Sequence, residues 1–112
     1  MEKFIKKWGN FEFQSSSGLT PEFKSFVTAT KKIFKEQALK NGCEILRFEK
    51  GHFDIFAFIQ KGENIYYVSI GDVRFEKGFL NNILFRTAKN DKDYTGGMNC
   101  YTSLSKLFSN FK

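Results

Sequence analysis

Cysteine and histidine are too scarce in this chain for the sites that these residues usually build. The sequence contains two cysteines, Cys43 and Cys100, and a single histidine, His52. Two cysteines far apart in sequence cannot supply the disulfide framework of a small secreted domain, so we expect free thiols in a reducing compartment. Two cysteines and one histidine in separate elements also make an incomplete set of zinc ligands. The sequence therefore predicts neither a disulfide scaffold nor a zinc site.

Long hydrophobic runs are missing as well. The longest apolar run, residues 53–59, contains Asp54 and is far shorter than the roughly 20 residues that a membrane helix needs. The lysines near the N-terminus are followed by a polar, glycine-containing stretch instead of the apolar segment of a signal peptide. We therefore expect no membrane partner and a location in the cytoplasm of the host cell.

Aromatic residues and lysine are what the chain has in abundance. Aromatics make up 18% of its 112 residues, with 15 phenylalanines, so we expect a single domain, residues 1–112, with a core built from rings. The formal net charge is +6. This charge favours polyanionic partners, but lysine also keeps an aromatic-rich surface in solution.

The first half of the chain predicts a short strand followed by a long helix. Residues 11–14 alternate between apolar and polar side chains, which indicates a strand. Thr20 and Pro21 then begin a helix, because threonine caps free amides and proline is tolerated in the first turn. Apolar residues recur at steps of three and four until Asn41 and Gly42, which end the helix.

After Gly42 the pattern becomes that of an antiparallel meander. We predict strands over residues 44–49, 52–60, 65–70 and 79–85. The second strand is apolar on both faces and should be central, with Phe56 and Phe58 on one face. A short C-terminal helix follows, with Asn99 or Thr102 available to cap it. The predicted fold is α+β: an antiparallel sheet of four to five strands, packed by one long helix in the N-terminal half and a short C-terminal helix.

The polar segment 86–99, RTAKNDKDYTGGMN, is the strongest candidate for a binding site. It is far longer than the usual connection of about four to six residues. Its basic side chains, aromatic ring and glycine pair are typical of a segment that grips a phosphate backbone or stacks on a base. The alternative is a tight turn that closes over the core with its tyrosine packed inward. The candidate residues are Arg86, Lys89, Lys92, Tyr94, Gly96, Gly97 and Asn99.

A second candidate surface is a basic stripe on the long helix. Lys24, Lys31 and Lys35 follow one another at steps of seven and four, which places them on one side of the helix. Such a stripe could contact nucleic acid or a partner. The alternative is a solvated face with a ladder of ion pairs from Lys32 through Glu36 to Lys40.

No complete catalytic constellation is present. His52 and Asp54 would lie on one side of the second strand, but a nucleophilic site also needs a base-activated Ser or Cys, and an acid/base nuclease needs a second proton carrier. Asp91 and Asp93 could bring two carboxylates to Mg²⁺ or Ca²⁺, yet this loop lacks the other oxygen ligands of a calcium loop. We therefore expect no catalytic residue, no metal site and no cofactor.

Three motifs carry a resemblance to a known group of proteins. FEFQSSSGLTPEF, SIGDVRF and NILFRTAKNDKDYTGGMN together resemble a family of small uncharacterised proteins carried on phages and conjugative elements. The resemblance implies a context: small proteins on such elements often handle the nucleic acid of the element or block a host defence, including CRISPR effector nucleases. It brings no known catalytic or binding residues.

The leading hypothesis is a non-enzymatic, cytoplasmic binding module of a mobile element. It would engage nucleic acid or inhibit a nucleic-acid-loaded host defence complex, as an anti-CRISPR protein does, through the 86–99 segment and the basic stripe. One alternative is a small metal-dependent nuclease that uses Asp91, Asp93 or His52. Another is a structural interaction protein that forms a homodimer through exposed phenylalanines.

Overall fold

The chain runs from two helices into a meander of strands and ends in a short helix. The computed structural model describes residues 1–13 and 20–112. Within these residues the helices are α1 (Glu2–Trp8), α2 (Pro21–Lys40) and α3 (Leu104–Leu107), with 3-10 turns at Phe79–Asn81 and Phe108–Asn110. The strands are β1 (Glu44–Lys50), β2 (Ile55–Lys61), β3 (Asn64–Ile70), β4 (Ile83–Ala88) and β5 (Cys100–Thr102).

The five strands of the described residues form one antiparallel sheet in the order β1-β2-β3-β4-β5. The long helix α2 and the short α3 pack against it, which confirms the predicted α+β class. β2 is an interior strand, as its apolar side chains on both faces require. The predicted central position of β2, with a neighbour on each side, is thus confirmed, and β3 occupies the middle of the five positions.

The predicted first strand is wrong where the structure describes it. Residues 11–13 have no regular secondary structure, Gln14 lies outside the described residues, and the chain opens with α1 instead. Phe4 and Trp8 are four residues apart, so they share one side of a helix, and both rings lie against Phe26 of α2. The alternation at residues 11–13 reflects core packing and not a strand: the ring of Phe13 stacks on the ring of Trp8.

The boundaries of α2 confirm the sequence prediction. The Thr20 hydroxyl oxygen accepts a hydrogen bond from the backbone N–H of Phe23 at 3.2 Å, and Pro21 occupies the first turn. At the other end Gly42 adopts a left-handed backbone with φ of +67°. This turn lets the N–H of Cys43 donate to the carbonyl of Ala38 at 2.8 Å, which closes the helix as glycine typically does.

Two strands begin later in the sequence than predicted. β2 starts at Ile55 because residues 51–54 form the turn from β1, in which Phe53 has a φ of +65° and is fully buried. The turn is closed by the N–H of Gly51, which donates to the carbonyl of Asp54 at 3.0 Å. β4 starts at Ile83 because the residues before it, Phe79–Asn81, form a 3-10 turn.

The predicted caps of the C-terminal helix are also wrong. Ser103 occupies the position before α3, while Thr102 belongs to β5 and Asn99 precedes that strand. Pairing of β5 with β4 holds this part of the chain extended, so neither side chain can cap the helix. The last residues are fastened to β3, where the ring of Phe111 stacks on Tyr66 with centroids 4.5 Å apart.

The aromatic core lies on one side of the sheet. The buried rings of α1 and α2 pack with Leu104, Leu107 and Phe108 of the C-terminal segment against Ile55, Ala57 and Ile59 of β2. Side chains alternate along a strand, so Phe56 and Phe58 point to the opposite face, as predicted. Among the described residues no helix covers that opposite face. In the same part of the chain no helix is long and apolar enough to cross a bilayer.

Candidate functional site

The uncovered face of the sheet carries two rows of side chains that run across the strands. In one row Arg47 of β1 lies opposite Phe58, which lies opposite Tyr67 of β3, which lies opposite Arg86 of β4. The other row contains Glu49, Phe56, Ser69, Leu84 and Tyr101. We call this surface the aromatic face and define it by its rings and cations: Arg47, Phe56, Phe58, Tyr67, Arg86, Lys92, Tyr94 and Tyr101.

Tyr94 reaches this face from the loop between β4 and β5. Its ring stacks on Tyr67 with centroids 4.6 Å apart and an angle of 23° between the ring planes, and 48% of the residue stays exposed. Burial raises the pKa of Tyr67, while hydrogen bonding to Ser69 and the charge of Arg86 oppose this shift. The Tyr67 phenol is therefore neutral at physiological pH.

A shallow concavity opens beside the tyrosine pair. Its volume is about 230 Å³, and its lining residues are Arg47, Phe56, Phe58, Tyr67, Lys92 and Tyr94. The guanidinium of Arg47 lies 5.4 Å from the centroid of the Phe56 ring, within cation-π range. Four rings and two cations thus form the wall, and among the described residues no carboxylate lines it.

The loop that carries Tyr94 is shaped by its own hydrogen bonds. The N–H of Lys89 donates to the carbonyl of Asp93 at 3.0 Å, and the N–H of Lys92 donates to the Asn90 side chain at 2.8 Å. The Asp93 carboxylate accepts from both the N–H and the hydroxyl of Thr95. These bonds, with a smaller effect of Lys89, hold the pKa of Asp93 below its usual range. The segment is therefore a turn held by its own hydrogen bonds, and Asp93 stabilises it.

Both glycines of the loop have a structural role. Gly96 has a φ of +96°, which side chains disfavour. Gly97 lies so close to β4 that a Cβ atom on it would be 2.5 Å from the Thr87 carbonyl oxygen. The Arg86 guanidinium donates a hydrogen bond to the carbonyl of Gly97, and its Nε is buried with no hydrogen-bond partner among the described residues. Arg86 thus fastens the loop to the sheet.

The lysines of the basic stripe lie on the other side of the sheet. The buried face of α2 packs against the core, whereas Tyr94 stacks on the uncovered face. The structure therefore brings Arg86, Lys92 and Tyr94 together, and it separates them from Lys24, Lys31 and Lys35. Lys89 and Asn99 are exposed in the loop, and Lys89 lies over Gly96.

Two of the stripe lysines line a groove between α2 and the edge strand β1. This lysine groove has a volume of about 690 Å³, and its lining residues are Val27, Thr28, Lys31, Lys32, Lys35, Phe48, Glu49 and Lys50. Lys24 and Lys32 line a second, shallow groove along α2. Together α1 and α2 contain eight lysines and three glutamates, so the helical layer holds most of the formal net charge of +6.

The predicted ladder of ion pairs on α2 does not form. In residues 1–13 and 20–112 the ion pairs within 4 Å are Arg47 with Glu49 and Arg74 with Asp72. Neither Lys32 nor Lys40 reaches Glu36 within that distance. The lysines of the groove are therefore exposed charges without a carboxylate partner in the described part of the chain.

The residues suggested for catalysis are not assembled into a site. The prediction that His52 and Asp54 share one side of a strand is wrong, because both lie in the β1–β2 turn with the buried Phe53 between them. Among residues 1–13 and 20–112, no group of three or more His, Cys, Asp or Glu side chains is placed to hold a metal ion.

The aromatic face was not predicted as a unit. Phe56 and Phe58 were predicted on one face of a strand and Tyr94 as a binding residue, without a connection to Arg47 or Tyr67. A signal was available: Arg47, Phe56, Phe58 and Tyr67 occupy the same phase of alternation along three consecutive strands. A strand that is apolar on both faces needs a cover for its second face, and Tyr94 supplies part of that cover.

Comparison with known proteins finds no match: no protein-family model fits the chain, and neither a curated protein nor a solved structure is significantly similar to it. The resemblance to proteins of phages and conjugative elements stays a prediction.

Proposed function

We propose that this chain is a non-enzymatic module that binds nucleic acid through its phosphate groups, with the lysine groove between α2 and β1 as the main contact. The observation that carries the proposal is the concentration of charge on the helical layer, where eight lysines stand against three glutamates. Lysines that neutralise phosphates release condensed counterions, and this release drives binding.

The spacing of the stripe suits a phosphate backbone. At a helical rise of about 1.5 Å per residue, Lys24 and Lys35 are about 16 Å apart along the axis of α2. This length spans several consecutive phosphates of a nucleic-acid strand. The lysine groove, which Lys31 and Lys35 line, contains Phe48 and Val27, against which the aliphatic stems of these lysines can pack while their ammonium groups stay in water.

A nucleic-acid-loaded host complex would present the same polyanion. A module of a mobile element that competes for the nucleic-acid path of a host defence complex needs the same charged surface, and the resemblance implies such a partner. We therefore extend the proposal to this partner class, with the lysine groove as the common contact.

The test is fluorescence anisotropy of labelled DNA and RNA, single-stranded and duplex, from about 0.05 to about 0.3 M salt. The variant replaces Lys24, Lys31 and Lys35 by glutamine. We expect it to bind about 10- to 100-fold more weakly, and we expect the slope of log affinity against log salt to fall by about two to three, or roughly one per lysine.

A matched control replaces three exposed lysines outside α1, α2 and the groove: Lys77, Lys106 and Lys112. We expect this control to keep most of the affinity. Absence of any binding by the unmodified protein at the lowest salt would overturn the nucleic-acid proposal. An equal loss in the control would show that net charge, and not the groove, is responsible.

A further inference from the structure

We infer that the nucleic acid is single-stranded, and that its unpaired bases stack in the concavity of the aromatic face. This inference rests on the proposed nucleic-acid binding, but it assigns a second surface and selects one class of ligand. Its starting point is the wall described above, in which the rings of two strands, β2 and β3, and of one loop are flanked by Arg47 and Lys92.

The chemistry of the wall selects the occupant. Unpaired bases have apolar faces that stack on aromatic side chains, and every base is joined to a phosphate that a nearby cation can neutralise. A wall of four rings and two cations, with no carboxylate among its described lining residues, complements this combination of flat ring and negative charge. A nucleic-acid strand whose bases stack on these rings would meet no negative charge in the wall. On this face, repulsion would come only from groups outside the wall, such as Glu49.

The size of the concavity limits what can enter. Its volume of about 230 Å³ is below the range of about 300 to 1,000 Å³ that is usual for pockets of drug-sized ligands. One planar ring system therefore fits better than a larger molecule. Tyr94 in the wall stays 48% exposed, and Tyr101 on the same face of the sheet stays 59% exposed, so both rings offer stacking surface.

The two proposed surfaces meet at the edge strand β1. Glu49 lines the lysine groove, and its side chain lies 3.8 Å from the guanidinium of Arg47, which lines the aromatic concavity. A ligand that contacts both surfaces must pass around this edge. Duplex DNA has a persistence length of about 150 base pairs and cannot turn so sharply, whereas a single strand can.

The test compares three labelled DNA probes of equal length, about 12 nucleotides, which is within the usual range of single-strand site sizes. They are oligothymidine, the same backbone without bases, and a duplex. We expect the unmodified protein to bind oligothymidine about 10-fold or more tightly than the abasic strand, since each stacked base contributes strongly to affinity. Oligouridine and oligodeoxyuridine as additional probes decide whether RNA or DNA is the source, because these two differ only in the 2′-hydroxyl.

Variants connect this preference to the concavity. In Tyr94→Ala we expect the difference between oligothymidine and the abasic strand to disappear, whereas Tyr94→Phe keeps the ring and should keep the difference. Phe75→Ala is the matched control, because Phe75 is an exposed ring outside the aromatic face. The comparison of probes on the unmodified protein needs no variant, so it holds even if one variant fails to fold.

The outcomes separate the two proposals. Equal affinity of the unmodified protein for oligothymidine, the abasic strand and the duplex would overturn the stacking inference and leave phosphate binding intact. No binding of any probe would overturn both. If sedimentation shows a dimer that Tyr94→Ala dissociates, the occupant of the face is a second copy of the chain, and the inference is wrong.

Discussion

Tyr94 lies flat on Tyr67, with ring centroids 4.6 Å apart, on the side of the sheet that faces away from the core. This pair answers the question that the sequence left open about the 86–99 segment. The loop is a tight, hydrogen-bonded turn, yet its tyrosine does not enter the core. It covers part of an aromatic face and remains half exposed.

Charge reversal should distinguish the two lysines of the loop. Lys92 lines the aromatic concavity, whereas Lys89 lies over Gly96. We expect Lys92→Glu to weaken single-strand binding about 10-fold, because it removes a cation beside the ligand path and adds an anion. Lys89→Glu should have a smaller effect. Anisotropy measures both, with circular dichroism to check the fold, and unchanged binding in both variants would exclude the loop from the contact surface.

Gly97→Ala should destabilise the protein more than the same substitution at a glycine where the added Cβ would meet no other atom. The new Cβ would be 2.5 Å from the Thr87 carbonyl oxygen, so the loop must shift away from β4, and we expect a loss of about 1–3 kcal/mol in the free energy of unfolding. Gly62→Ala is the control, since Gly62 has a φ of +59° with no atom within 4 Å of the added Cβ. Urea denaturation measures both changes. Equal losses would contradict the prediction, because the close approach of Gly97 to Thr87 would then cost no more than the left-handed backbone of Gly62.

Removal of the helix cap should weaken α2. Thr20→Ala deletes the hydroxyl oxygen that accepts from the N–H of Phe23, and we expect a loss of about 1 kcal/mol in the free energy of unfolding. Thr28→Ala is the control, because its exposed hydroxyl donates to the Lys24 carbonyl within the same helix, where alanine is the better helix former. A cap effect no larger than the control would contradict the role of Thr20.

The ion pair between Asp72 and Arg74 should depend on pH. Hydrogen bonding from Arg74 holds the pKa of Asp72 below its usual range, so the pair contributes stability above the unfolded-state pKa of about 3.9. This contribution is lost as the pH falls through the lower pKa of the folded state. For a solvent-screened pair we expect a small favourable coupling near neutral pH.

A double-mutant cycle with Asp72→Asn and Arg74→Gln measures that coupling by urea denaturation near neutral pH and at about pH 3. The Arg74 guanidinium also lies 4.4 Å from the centroid of the Phe53 ring. This contact involves only one of the two mutated residues, so its contribution cancels in the coupling energy. A coupling of equal size at both pH values would contradict an ionic origin.

The elements that the sequence predicted well are those whose ends are determined by local interactions. Thr20, Pro21 and Gly42 determine where α2 begins and ends through bonds to residues within a few positions. The short helix α1 was missed because a helix of this length is stabilised by tertiary packing more than by its own residues, here by the rings of Phe4 and Trp8 against Phe26. The turn before β2 was predicted too short, with the strand beginning at residue 52, for a related reason: Phe53 adopts its unusual backbone where its ring is fully buried.

The sequence by itself determined the α+β class, the long helix, the meander of strands and the residue types that favour a polyanion, because periodicity and turn residues act over short distances. Only the tertiary structure decided which of those residues meet. Strand register placed Arg47, Phe58 and Tyr67 in one row, and the β4–β5 loop laid Tyr94 on that row. The packing of α2 on the opposite face separated the lysines from Tyr94, because each strand points alternate side chains to opposite sides of the sheet.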